Sequence, residues 1–258
     1  MTNPHLPLKG CFVTGTDTGV GKTRISAALL RVFAQAGLRT AGLKPVAAGL
    51  EMVDGHLVND DVQALQSAAS VALAGHEVGP VQLPEPCAPH IAAALAGRRI
   101  ERPVLLAAAR HLATRADMLV VEGVGGFIVP LSQPGADADF DTADLAVDLG
   151  LPVVLVVGLR LGCLSHALLT AEAVRARGLH LAGWVGNHLA EPMPHAQANL
   201  DTLAHCMSQR YGAPCLGVTP YLPQADADAL ATHLNAARLR AVLHPNIESE
   251  PALTRNVV

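Results

Sequence analysis

The chain has 258 residues, half of them hydrophobic and 16% charged, with a formal charge of −4 from 18 Lys plus Arg against 22 Asp plus Glu. That composition excludes an intrinsically disordered chain, which is poor in apolar residues and high in net charge. It also gives no electrostatic footing for nucleic acid or an anionic membrane as a partner.

In chain order, residues 11–13 predict a short strand running into a Gly/Thr turn, and residues 24–36 an Ala/Leu-rich helix stopped by Gly37. Residues 41–46 predict a second strand. Residues 60–69 predict a helix with Asn59 placed to cap it. A helix over 103–115, with Pro at its first turn, leads to an apolar strand over 118–121 that Glu122-Gly123 stops. There follow a helix over 142–149, a strand over 153–157, a helix over 165–177 ended by Gly178, and a strand over 181–185. A helix over 194–210, a short strand over 215–218 and a helix over 226–243 complete the pattern. Strands apolar on both faces and separated by helices predict an α/β fold: a single three-layer αβα domain with a mostly parallel central sheet. Residues 1–243 are expected to form that domain, with 244–258 a loosely ordered tail. Five cysteines without a CxxC pair predict a reduced, cytoplasmic protein. No apolar run approaches the ~20 residues that span a bilayer. Twelve scattered histidines form no HExxH or similar pair, so no zinc site is expected.

The sharpest chemical signal is the run Gly15-Thr16-Asp17-Thr18-Gly19-Val20-Gly21-Lys22-Thr23 between a predicted strand and a predicted helix. In that context loop N–H groups and a helix N-terminus point at one anion, which is how a phosphate is held. Gly19 and Gly21 allow close backbone approach, Lys22 reaches the β/γ-phosphates, and the Thr23 hydroxyl suits Mg²⁺. The spacing departs from GxxxxGK[ST] by one extra residue, since Thr16 stands where the first glycine is usual. Glu122, an acid at the end of an apolar strand, is placed as the second Mg²⁺ partner. Lys44 and Asp61 fall on the same predicted rim. On chemistry alone Lys44 is equally an ordinary strand-end lysine, and Asp60 is as plausible a metal ligand as Asp61.

The stretches GTDTGVGKT (15–23), AGLKPVAAG (41–49), NDD (59–61), EPCAPH (85–90), VVEGVGG (120–126), LPVVLVVGLRLGCLSHALLT (151–170) and AGWVGN (182–187) occur in this order across most of residues 10–225. Together they resemble the dethiobiotin synthetase family, a P-loop fold shared with the partition ATPases. The resemblance implies an ATP-dependent cyclo-ligase that makes dethiobiotin from 7,8-diaminononanoate and CO₂, through a carbamate and a mixed anhydride with phosphate. It implies Lys44, Lys22 and Thr18 as catalytic groups, with Lys44 against the carbamate. It favours Asp61 over Asp60 beside Thr23 and Glu122 on Mg²⁺. It implies nucleotide contacts from Gly19, Val20, Gly21, Lys22, Thr23, Arg24 and Gly125, with Asn187 on the adenine and Pro220, Tyr221 and Leu222 flanking it. Substrate contacts follow at Lys44, at Ala48 and, through backbone N–H groups, at Gly162 and Cys163, the last two serving a neighbouring subunit of a homodimer. Two positions depart from the family. Ala48 stands where a serine is expected, and Ser165 where relatives often carry Asn; Ser165 is equally a plain helix cap.

A partition-type ATPase switch acting with DNA or membrane is the alternative. Such proteins usually carry a lysine early in the variant loop, where this chain has Asp17. An amidation enzyme of cobyrinate type would need a glutaminase domain, for which there is no room after residue 225.

Overall fold

The computed structural model describes residues 8–133, 135, 139–190 and 193–244; most of the expected tail lies outside them. Strand β1 (Gly10–Gly15), buried along its whole length, runs into the Gly/Thr turn, and helix α1 (Lys22–Gln35) begins two residues earlier than the sequence predicts. The strand predicted over 41–46 is two elements. β2 (Thr40–Leu43) stops when Lys44 leaves the ladder and donates its backbone N–H to the Val78 carbonyl at 2.7 Å. Pro45 has no N–H with which to resume pairing. The chain re-forms as β3 (Val46–Ala48) in a separate small sheet.

The hairpin of β4 (Glu51–Val53) and β5 (His56–Val58) turns on Asp54 and Gly55, at φ +49° and +79°. Two residues at positive φ match the right-handed twist of the flanking strands. Helix α2 (Asp60–Ala68) is capped as expected: Asn59 Oδ1 accepts the Val62 N–H at 3.2 Å. The short α3 (Gly75–Val78), β6 (Val81–Leu83) and α4 (Pro89–Leu95) lead to α5 (Arg102–Ala113) and β7 (Met118–Glu122). Beyond them lie α6 (Thr142–Leu149), β8 (Val153–Leu159), α7 (Cys163–Ala176), β9 (Leu181–His188), α8 (Ala196–Tyr211) and β10 (Cys215–Thr219). The helix expected over 226–243 is broken into α9 (Ala227–Ala231) and α10 (Ala236–Leu243). The break is tertiary in origin: the Asn235 N–H donates to the Leu216 carbonyl at 2.7 Å, and its side chain caps α10 through the Arg238 N–H.

The central sheet has the order β10-β9-β8-β1-β7-β2 and is parallel at every pairing. Its register sets Phe12 beside Val121 on one side and Val153 on the other. Strands such as β1, β7 and β8 are buried end to end because helices cover both faces, which is why their sequences do not alternate. Helix α1 packs on α2 and α9, whereas α5 meets α6 and α7 meets α8. From β1 the chain crosses outward to β2, then returns through β7 and continues past β1 to β8, β9 and β10. With right-handed crossovers that reversal puts α1 on one face and α5, α6, α7 and α8 on the other. It also opens a crevice at the carboxyl end of β1, where α/β sheets bind ligands.

Candidate active site

The turn after β1 stands in that crevice. Gly19 and Gly21 take φ +72° and +90°, and a Cβ on Gly21 would lie 2.2 Å from Asn187 Nδ2, so only glycine fits there. Lys22 is buried and curls back over the loop, its Nζ donating to the Asp17 carbonyl at 2.9 Å. Burial, reinforced by the nearby Lys44 ammonium, pulls Lys22 down to about 8. Thr18 is exposed; its N–H is held by Asp17 Oδ1 at 2.7 Å, and its hydroxyl faces Gly125, at φ +65° in the loop after β7.

The charge cluster sits beside the loop. Lys44, only 3% exposed, places Nζ 2.6 Å from Glu122 Oε1 and 2.7 Å from Asp61 Oδ2. Burial opposes the ammonium, but the two carboxylates outweigh it and hold Lys44 above its ordinary range. Burial likewise works against the Asp61 carboxylate, and Lys44 with the Thr23 hydroxyl overcomes it, so Asp61 stays below its usual range. Asp60, next to it, points to solvent and joins nothing in the cluster.

Thr23 Oγ1 lies 2.5 Å from Asp61 Oδ1 and 2.8 Å from Glu122 Oε1. A hydroxyl has one proton and can satisfy only one of them. Glu122 Oε2, fully buried, has no hydrogen-bond partner among the described residues. Converging hard oxygens short of donors fit a divalent cation such as Mg²⁺.

A cavity of about 280 Å³ adjoins this cluster, lined by Ala48, Gly49, Asn59, Asp61 and Pro86 among others. Asn59 does more than cap α2: its Nδ2 donates to the Gly49 carbonyl at 2.7 Å and ties the cavity's two walls together. Pro86 brings the EPCAPH stretch to the same wall. No hydroxyl stands at Ala48, and its methyl is half-buried at the end of β3.

The residues expected to contact the nucleotide lie on the other flank. Asn187, near the end of β9, donates to the Val20 carbonyl at 2.9 Å, and the Arg24 guanidinium donates to the Leu222 carbonyl. Tyr221 is exposed, and Pro220 follows directly on β10. Gly162 and Cys163 stand apart: no hydrogen bond joins them to the Lys44 cluster among the described residues. Gly162, at φ +96°, is the N-cap of α7, so the helix starts at Cys163 and Ser165 lies inside its first turn instead of capping it. The Cys163 N–H is spent on the Arg160 carbonyl at 3.0 Å. Sequence reasoning passed over Arg160, whose guanidinium pairs with Asp17 at 2.5 Å and latches this loop to the phosphate turn. An arginine just past an apolar strand at the rim was its only trace.

Residues 9–229 match the family described as AAA domain. Among solved structures, the chain is similar to the MinC:MinD cell division protein complex of Aquifex aeolicus, with a TM-score of 0.52 and 11% identity over 90% of this chain and 95% of that one. It is also similar to the septum site-determining protein MinD complexed with Mg-ADP from Pyrococcus horikoshii, with a TM-score of 0.50 and 16% identity over 90% and 89%. These distant likenesses establish the fold alone. Among curated proteins, the ATP-dependent dethiobiotin synthetase BioD of Ralstonia nicotianae is 53% identical over 231 residues, 90% of this chain and 97% of the relative. Near-complete coverage at that identity, with the phosphate loop and the Lys44 cluster both in place, settles the assignment: the chain belongs to the ATP-dependent dethiobiotin synthetase family.

Proposed function

We propose that the chain closes the ureido ring of dethiobiotin from 7,8-diaminononanoate, CO₂ and ATP, releasing ADP and phosphate. One substrate amine adds to CO₂ and loses a proton, giving a carbamate. A carbamate oxygen takes the γ-phosphoryl group, ADP leaves, and a carbamic-phosphoric anhydride results. The second amine attacks its carbonyl, phosphate departs with the C–O electron pair, and the nitrogen gives up its proton. Both amines sit on one short carbon chain, so closure is effectively unimolecular.

The observation that carries this reading is the buried Lys44 ammonium, held charged between Glu122 and Asp61 beside the phosphate turn. Phosphoryl transfer is catalysed chiefly by positioning and by fixed charge. Lys44 supplies that charge to the carbamate and the passing phosphoryl, while Lys22 and the loop N–H groups hold the nucleotide. Thr23, Asp61 and Glu122 would hold Mg²⁺, which neutralises phosphate charge. Thr18 stands over the reacting end, and Gly19, Val20, Gly21, Arg24 and Gly125 shape the nucleotide's bed. Asn187 faces the adenine, flanked by Pro220, Tyr221 and Leu222. The diamine's reacting end lies by Ala48, where the missing serine hydroxyl leaves orientation to the Gly49–Asn59 wall. Its carboxylate rests on Gly162 and Cys163 of the neighbouring copy in a homodimer, the Cys163 N–H exchanging the Arg160 carbonyl for it. Residues 1–243 act as one domain, and the protein works in the cytoplasm.

The test is ATP cleavage with and without 7,8-diaminononanoate and bicarbonate, alongside product detection. Cleavage strictly dependent on the diamine, with dethiobiotin formed in equal amount, is expected. Vigorous cleavage that ignores the diamine overturns the proposal.

A further inference from the structure

The Asn187 side chain is held from two sides. A primary amide offers two N–H donors and two acceptor lone pairs. The Val20 carbonyl can only accept, so it takes Nδ2–H, at 2.9 Å. That fixes which end of the amide is oxygen. The oxygen then accepts from the hydroxyl of Thr219, at 2.5 Å. Thr219 is fully buried and stands directly opposite Asn187 in the β9–β10 register. The Gly186 carbonyl, its other neighbouring acceptor among the described residues, is at 3.5 Å. Gly21 presses close from the phosphate turn, where even one added methyl would meet Nδ2.

Among the described residues, these bonds leave one N–H and one lone pair of Asn187 without a partner. An amide N–H and its oxygen, offered to one ligand, complement a base edge that presents an acceptor next to an amino donor, as adenine N7 and N6 do. Guanine presents two acceptors there, N7 and O6, and would meet the amide oxygen with a carbonyl. An amide free to turn over would accommodate either base. One locked in place cannot.

We propose that Thr219 is a specificity-determining positioning residue: by donating to Asn187 it locks the amide in the orientation that accepts adenine and refuses guanine. This rests on the reading that Asn187 faces the base. It makes nucleotide choice a property of a residue that does not itself touch the nucleotide.

The experiment compares kcat/KM for ATP and GTP in dethiobiotin formation by the full chain and by Thr219→Val, Thr219→Ser, Thr219→Ala and Asn187→Ala, with melting temperatures measured in parallel. The wild type should prefer ATP strongly. Thr219→Val, which keeps the shape and removes the hydroxyl, should lower the ATP:GTP ratio about tenfold, the change falling in the KM values and not in kcat. Thr219→Ser should restore the ratio. Should the valine variant fail to fold, Thr219→Ala carries the same expectation. A folded hydroxyl-free variant with the wild-type ratio overturns the lock. If Asn187→Ala also keeps that ratio, the base-contact reading falls as well. If Asn187→Ala alone collapses the ratio, the base contact stands and the lock is wrong.

Discussion

Lys44 is a cation that burial would discharge and that two carboxylates keep charged. Lys44→Gln preserves length and removes the charge, and should cost ~10²–10³ in turnover. ATP affinity should change far less, because Lys22 and the loop N–H groups hold the nucleotide. Calorimetry with ATP, set against dethiobiotin formation, separates the two effects; near-normal product formation would return Lys44 to an ordinary lysine. The neighbouring acids give a cleaner contrast. Asp61→Asn should raise the Mg²⁺ concentration needed for half-maximal rate several-fold, because it removes one negative charge from the oxygens that would hold the ion. Asp60→Asn, altering a side chain that faces solvent, should leave that concentration where it is. At this scale the sequence was informative wherever a motif fixed the residue type. It could not choose between Asp60 and Asp61, because that choice depends on which way one turn of helix points. It was silent on Arg160 and Thr219, which act through partners 143 and 32 residues away.

The elements that position these groups were legible in proportion to how local their causes are. Central strands and long helices follow from apolar runs and Gly stops, and they stand within a few residues of their expected places. The Asp54-Gly55 hairpin had a local signal too, an Asp-Gly pair between short apolar-polar runs, but its strands are exposed and only three residues long. The break between α9 and α10 had no Gly or Pro to mark it. A hydrogen bond to β10 makes it, so only the fold reveals it. Helix α2 links element to site. Asn59 fixes where α2 starts, hence where Asp61 points, and also ties down Gly49. Asn59→Ala should therefore lower stability by about 1 kcal/mol, the usual cost of losing such a cap. It should also raise the Mg²⁺ requirement. Asn59→Ser, which keeps a capping oxygen, should recover most of the stability but not the tie to Gly49. Denaturant titration and metal titration of both variants check this. Equal stability in Asn59→Ala and the wild type would remove the cap from the account.

At the scale of the whole molecule, Leu161 stands 91% exposed beside Gly162 and Cys163, at the end of the loop that Arg160 latches to the phosphate turn. The proposed homodimer places this loop at the shared substrate site. Leu161→Asp should shift the protein from dimer to monomer in size-exclusion chromatography with light scattering, and raise KM for the diamine. A variant that stays dimeric with unchanged KM would remove this loop from the interface. The bond from Arg24 to the Leu222 carbonyl has a different consequence. It spans 198 residues, so the first helix of the chain is joined to one of its last segments. During synthesis the phosphate turn is complete after about a tenth of the chain has been made, yet residues 220–222, the proposed far wall of the nucleotide bed, arrive only after β10. Domains fold largely as units as the chain emerges, and a ribosome-bound chain halted before β10 has the phosphate turn and Asn187 but lacks residues 220–222 and the Arg24 partner at Leu222. Such a chain should not retain ATP, whereas one extended through α10 and released should. On that expectation, a product truncated before β10 is a bystander in the cell's nucleotide pool, not a competitor for ATP.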